Sequence, residues 1–308
     1  MYLPFLHGKQ FDLLAVKSLA GTLASSSVLP IIQPVRANFG ALNRTVAELI
    51  SHNDEVVVIA NPKEGELSNN HNAIQTELQT RYGNNPYVLI GIILDATVSV
   101  PSVTAIQNAF PNNRIVYIHR RLGPGQNFAP LFNQNSIHAI VEGESSVAYG
   151  LGLSGSTRYL IQDNFPQRRN ADHPDSEQFT DLNVNYSALG YDGFGDFTVM
   201  PAAYRGSGGQ PYCVAVHVGF QQTPGPNLPV DIFHFKSNAR TTAGQPAQKS
   251  QEALTEMVNG LAVQNPPIFE AGGLAALRAL HTTGHYPGLG KMKEHQVRHH
   301  IELMRTVI

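Results

Sequence analysis

The 308-residue sequence has no tryptophan, one cysteine and few charges, with Asp, Glu, Lys and Arg making up only 14% of it. Soluble domains carry roughly 25%, so the surface must draw much of its polarity from Asn, Gln, Ser and Thr. Twenty-one Lys and Arg against 23 Asp and Glu give a formal charge of −2. That leaves no global basic field for a phosphate backbone, and broad nucleic-acid contact is disfavoured. Cys213 alone can form neither an internal disulfide nor a cysteine zinc site, which fits a reducing compartment. No apolar run approaches the roughly 20 residues that span a bilayer; the longest is YVLIGIIL, Tyr87 to Leu94. The opening MYLPFLHGKQ has no basic region ahead of an apolar core, so no signal peptide is expected. A cytoplasmic location without membrane contact follows as the expectation, and the sequons at Asn43 and Asn185 then carry no weight.

What the chain does contain is apolar residue in ordinary amount, 42%, which excludes intrinsic disorder, and it is arranged regularly. YLPFL (2–6), VLPIIQPV (28–35), EVVVIA (55–60), YVLIGIIL (87–94) and RIVYIH (114–119) are strand-like runs. Helical periodicity fills 9–23, 38–51, 72–82 and 99–110. The runs are continuous rather than alternating, as in a parallel sheet buried on both faces. IHAIVEG (137–143) and TRYLIQD (157–163) read as strands six and seven. No GxGxxG follows the first strand, which favours a TIM-like (β/α) barrel over a dinucleotide-binding sheet. Residues 163–195 are polar and read as a long inserted functional loop. FTVMP, CVAVHVGFQ and VDIFHFK read as antiparallel strands, one of which closes the barrel. Helices are expected over 248–262, 270–280 and 291–307. The expectation is one domain over 1–308: regular βα units to 145, a strand-rich part over 146–240, and C-terminal helices from 241.

Reactive groups in such a barrel stand at the carboxyl ends of the strands. Those ends read as Arg36 and Asn38, Asn61, Asp95, His119 with Arg120 and Arg121, Asp163, and His234 with Lys236. Arg168 and Arg169 in QRRNADHPD could clamp an anion bidentately, or the segment could be a solvated loop held by its own Arg–Asp pairs, Asp172 included. His217 and His234 lie on neighbouring strands and could form an acid–base or metal pair, or be satisfied core histidines. In the last helix His295, His299 and Glu302 have ligand spacing but lie away from the Val297/Ile301/Met304/Ile308 stripe, so a solvent-exposed face is expected, with His300 the more buried histidine. HFK lacks the aspartate a phospholipase-D motif requires, since Arg240 and Thr241 follow. GHYPGLGKM has the wrong glycine spacing for a phosphate loop, and GLSGS is one residue short of a nucleophile elbow. Catalytic candidates are therefore Asp163, Asp196, His217, His234 and Lys236; ligand-binding candidates are Arg36, Asn61, Arg168, Arg169 and Asp172. The sequence assigns no cofactor or metal.

YLPFLHGKQFDLLAV, PIIQPV, VVVIANPKEGE, RRNADHPDSEQFTDL, GYDGFGDFTVMP, YCVAVHV, FHFKS, HYPGLGKMKEH and RHHIELM occur in that order over almost the whole chain. Together they resemble the sce7725 family, which is related to a wider group called beta proteins. The resemblance implies a barrel-like α/β fold and a neighbour-encoded partner of the sce7726 type in a two-gene bacterial system concerned with phage defence. It brings no assigned activity. Its typical positions map onto Arg169, Asn170, Asp172, Gly195, Asp196, His217, His234, His285, Pro287, His299 and His300. Gln33 stands where an acid is expected after PII, which weakens an enzyme reading. The alternative is a barrel hydrolase acting on a phosphorylated or nucleotide-like ligand.

Overall fold

The computed structural model describes residues 1–122, 127–133, 135–145, 149, 152–153, 155–206, 208–222, 228–238, 241–265 and 267–308. Ser154 of GLSGS and Arg240 after HFK lie outside the described residues. The chain divides into two compact units, 1–163 with 186–197, and 164–185 with 198–308.

The first unit is a closed barrel of eight parallel strands: β1 (Tyr2–Leu6), β2 (Ile31–Ile32), β3 (Val56–Ile59), β4 (Val88–Leu94), β5 (Ile115–His119), β6 (Ile137–Val141), β7 (Thr157–Gln162) and β9 (Gly193–Asp196). Every residue of β1, β3 and β4 is buried, as strands covered by lumen on one side and helices on the other must be. Four helices cover the first turns: α1 (Gln10–Lys17), α2 (Gly40–Ser51), α3 (His71–Tyr82) and α4 (Val100–Ala109). Each buries one stripe, such as Leu42, Val46 and Leu49 on α2, or Ile74, Leu78 and Tyr82 on α3. Between β5 and β6 the described residues hold only a 3-10 turn, Ala129–Leu131. The described residues there include Pro130, Asn127, Asn133 and Asn135, which disfavour a longer helix.

Closure departs from expectation. None of the three later apolar runs closes the barrel; β9 does, pairing with β1 on one side and β7 on the other. Its sequence, GFGD, has no β-branched residue, but the glycines are what the join requires. A Cβ on Gly193 or Gly195 would stand 2.2 Å from the Met1 carbonyl oxygen or 2.1 Å from that of Leu3. Residues 163–195 are accordingly not a single loop, because they contain β9, the strand β8 (Ser176–Thr180) and a helical turn, α5 (Leu182–Asn185).

The second unit has a three-stranded antiparallel sheet in the order β10 (Ala215–Phe220), β11 (Val230–Lys236), β8. Helices α6 (Pro246–Ala262), α7 (Gly272–Thr283) and α8 (Leu289–Met304) follow. Val216 and Val218 of β10 form a core with Leu254, Met257, Leu274, Leu277 and Met292, flanked by Phe233 and Phe235. Strand alternation turns His217 and His234 to the other face. Of the α8 face expected in solvent, His299 and Glu302 are buried and His295 is half-buried. His299 is wholly buried and its Nε2 bonds the Gly219 carbonyl at 2.9 Å, while Gln296 Oε1 accepts from the His217 amide at 2.8 Å, so α8 covers the edge of β10. Glu302 accepts from the Gly273 amide at 2.8 Å, capping α7, and from Arg298 Nε at 2.9 Å. Cys213 is a buried free thiol. Among the described residues no helix is long and apolar enough to cross a membrane.

Candidate functional site

At the carboxyl end of the barrel strands His7 follows β1, Gln33 follows β2, Glu64 lies after β3 and Arg120 follows β5. His7 Nδ1 stands 3.1 Å from Glu64 Oε2, and Gln33 Nε2 donates to the same oxygen at 2.8 Å. Gln33 is fully buried, so the residue that replaces the expected acid holds an acid supplied by the next strand's loop. That loop is pinned by Gly65, at φ +76°, where a Cβ would lie 2.3 Å from the Val35 carbonyl oxygen. Arg120 donates to both oxygens of Glu144, at 2.9 and 3.1 Å. Its guanidinium carbon is 5.9 Å from the Phe5 ring centroid and 5.6 Å from that of Phe197. Phe197 also packs on Phe5 at 4.9 Å and on His7 at 6.5 Å, so these groups share one face of the barrel wall. Burial pushes the Glu64 carboxyl up, but the His7 hydrogen bond and charge, the Arg120 guanidinium and the Gln33 amide together hold it below the usual range.

The candidates read from strand ends distribute differently. Arg36 is an exposed partner of Glu66 at 2.7 Å. Asn61 is buried and bonds both the amide and the carbonyl of Ile93 at 2.8 Å, extending the β3–β4 ladder as a structural group. Asp196 accepts from the Tyr2 hydroxyl at 2.7 Å. Tyr2 and Asp196 alternate with Phe5 and Phe197 along their strands, which puts this pair on the opposite face from His7. Asp163 contributes its charge to Arg120. His119 shares a face of β5 with Tyr117, whose hydroxyl bonds Gln107 on α4, so it faces the helix layer. There its Nε2 meets His138 Nδ1 at 2.9 Å and its Nδ1 meets the Tyr149 hydroxyl at 2.8 Å. Burial and the Arg158 charge take His138 down to about 4.

In the second unit His217 and His234 are direct partners across β10 and β11, with their Nδ1 atoms 2.7 Å apart. His234 Nε2 stands 3.0 Å from Glu177 Oε1. Arg168 Nη2 donates to the other oxygen, Oε2, at 3.0 Å. His173 stacks on His234 with centroids 4.4 Å apart, and Phe165 packs on His217 with centroids 4.8 Å apart. Lys236 Nζ is used structurally, donating to the His173 carbonyl at 2.7 Å and pairing with Asp175 at 2.8 Å. Arg169 pairs at the surface with Asp172 at 2.7 and 3.1 Å. The two arginines thus engage different carboxylates instead of forming one anion clamp. Burial, then the neighbouring His173, depresses His234 to about 4 against the pull of Glu177. Burial and the two other histidines lower His217 well below its ordinary value. Among the described residues, His173, Glu177 and His234 form the one group of three whose ligand atoms lie within 4.8 Å of one another.

His7, Glu64, His138, His173 and Glu177 were not singled out from the sequence. No family model, curated protein or solved structure matches this chain.

Proposed function

We propose that the chain is a barrel hydrolase whose proton-transfer group is His7, oriented by Glu64. The observation that carries this reading is the 3.1 Å imidazole–carboxylate contact at the end of the barrel where βα-barrel chemistry is placed. Glu64, held ionised, stabilises the imidazolium that forms when His7 takes a proton from an attacking water, and His7 can return that proton to the leaving group. Gln33 and Gly65 fix Glu64 before substrate arrives. The Arg120 guanidinium already faces Glu64, Glu144 and Asp163, while Arg121 pairs with Glu144 at 3.4 Å and Lys9 feels the Glu64 charge, so cations and carboxylates offset one another. This balance favours a hydroxyl-bearing, uncharged part of a nucleotide-like substrate, such as its sugar, next to the pair. A phosphate would have to displace a carboxylate from Arg120. The test is turnover on nucleosides and their 5′-phosphates by wild type, His7→Ala and Glu64→Gln. Nucleosides should be preferred and both variants should lose most of the rate. Equal rates in all three proteins, or none on either substrate set, would overturn the reading.

The sequence likeness supports a second proposal, action with a sce7726-type partner in a phage-defence pair. Co-purification from cells carrying both genes tests it, and a chain that stays solitary there contradicts it.

A further inference from the structure

We infer that His173, Glu177 and His234 of the second unit form a three-ligand site for a divalent transition-metal ion of the zinc class, with a coordination position left open. The site stands independently of the acid–base reading, since none of its residues belongs to the barrel unit.

The ligand atoms are already gathered. Glu177 Oε1 is 3.0 Å from His234 Nε2 and 3.5 Å from His173 Nδ1. Ions of this class bond imidazole nitrogen and carboxylate oxygen at about 2.0–2.2 Å, so ligand atoms on one tetrahedral ion stand about 3.3 Å apart. The observed separations bracket that value. Two imidazoles and one carboxylate, with no thiolate, suit zinc or ferrous iron better than magnesium or calcium, which prefer all-oxygen shells.

The groups behind the ligands select the atoms that face the ion. Arg168 occupies Oε2 of Glu177 at 3.0 Å and leaves Oε1. His217 meets Nδ1 of His234 at 2.7 Å and leaves Nε2. Metal-bound histidines characteristically bond a neighbour through the second ring nitrogen, which fixes the tautomer. His173 supplies an independent sign: its Nδ1 is buried and, 3.5 Å from Glu177 Oε1, makes no hydrogen bond of normal geometry among the described residues. A buried imidazole nitrogen left in this state is unfavourable, and an ion at the focus of the three groups would satisfy it. The His173 and His234 side chains are 1% and 0% exposed while Glu177 is 25% exposed, so solvent or a ligand can reach the open position past the carboxylate.

The experiment uses the full chain, stripped with chelator and titrated with Zn²⁺ by calorimetry, and with Co²⁺ followed by its ligand-field absorption. Fe²⁺ under anaerobic conditions and Mg²⁺ are parallel arms. Wild type should bind one equivalent of Zn²⁺ or Fe²⁺, ignore Mg²⁺ at equal concentration, and give the intense Co²⁺ bands of a low-coordinate site. Glu177→Gln keeps the side-chain size and an oxygen for His234, so it should fold; it and His234→Ala should weaken binding at least 100-fold. His52→Ala, a surface histidine, should bind as wild type does. Binding that is absent, or equal in wild type and Glu177→Gln, overturns the site. Loss of hydrolysis in Glu64→Gln with retained Co²⁺ bands separates the fate of this site from that of the barrel pair.

Discussion

Both units pair a glutamate with histidine, and the surroundings make the two pairs chemically different. At the barrel end one imidazole meets one carboxylate, and the carboxylate also feels a guanidinium that is itself shared with Glu144. The proposed proton transfer uses Glu64 as the acceptor for the imidazolium that His7 would become. In the second unit Glu177 is already neutralised by Arg168, two imidazoles, His173 and His234, lie against it, and a third, His217, packs behind them. None of the three can charge without repelling the others. Neutral nitrogen lone pairs gathered around one carboxylate oxygen suit a cation from outside better than a proton from water. The lesson is that a His–Glu contact specifies nothing alone; the charges and rings around the carboxylate distinguish the two pairs.

The sharpest way to break this contrast is Glu64→Gln. It should lower kcat by about 10²–10⁴, the span of one acid–base group. Next in size is Gly65→Ala, which forces a side chain into left-handed backbone and against the Val35 carbonyl. It should cost about 3 kcal/mol in urea unfolding and impair turnover with it. A comparable effect comes from acid. His138 and His234, one in each unit, have folded-state pKa values of about 4, below the ordinary imidazole value. The unfolded chain therefore binds those protons first. The stability they contribute is full above about pH 6.5 and is lost as pH falls toward 4, on the order of 3 kcal/mol for His138 alone. Urea midpoints should decline over that window, and His138→Phe should flatten the decline. The smallest effect is expected for Arg169→Ala. Its side chain is 86% exposed and its partner is Asp172, so the melting temperature should stay as in wild type.

Much of the fold was legible because parallel strands need long apolar runs, and β1 to β7 have them. β9 and β8 were not, since GFGD and SEQFT carry neither a β-branched run nor a clean alternation; the fit of β9 against β1 decides its role, and composition does not show it. α8 misled for a related reason. Periodicity finds one apolar stripe, but this helix has a second neighbour, and Glu302 and His299 are buried because they complete backbone groups of α7 and β10. The candidate site was half legible. His217 and His234 face each other as neighbouring strands suggested, and Arg168 lies beside them. Their completing partners, His173 and Glu177, sat in what read as loop. His7 had a usable signal, being the first residue after β1, yet its pairing with Glu64 depends on two βα connections converging and leaves no trace in spacing.

The cover that α8 lays over β10 has a consequence for assembly. Gln296 and His299 occupy an amide and a carbonyl that another strand would otherwise take. The helix lies well downstream of that strand in the sequence, so a nascent chain passes through an interval in which the β10 edge is bare. During that interval two side chains not yet made are what separates folding from strand exchange with a neighbouring chain.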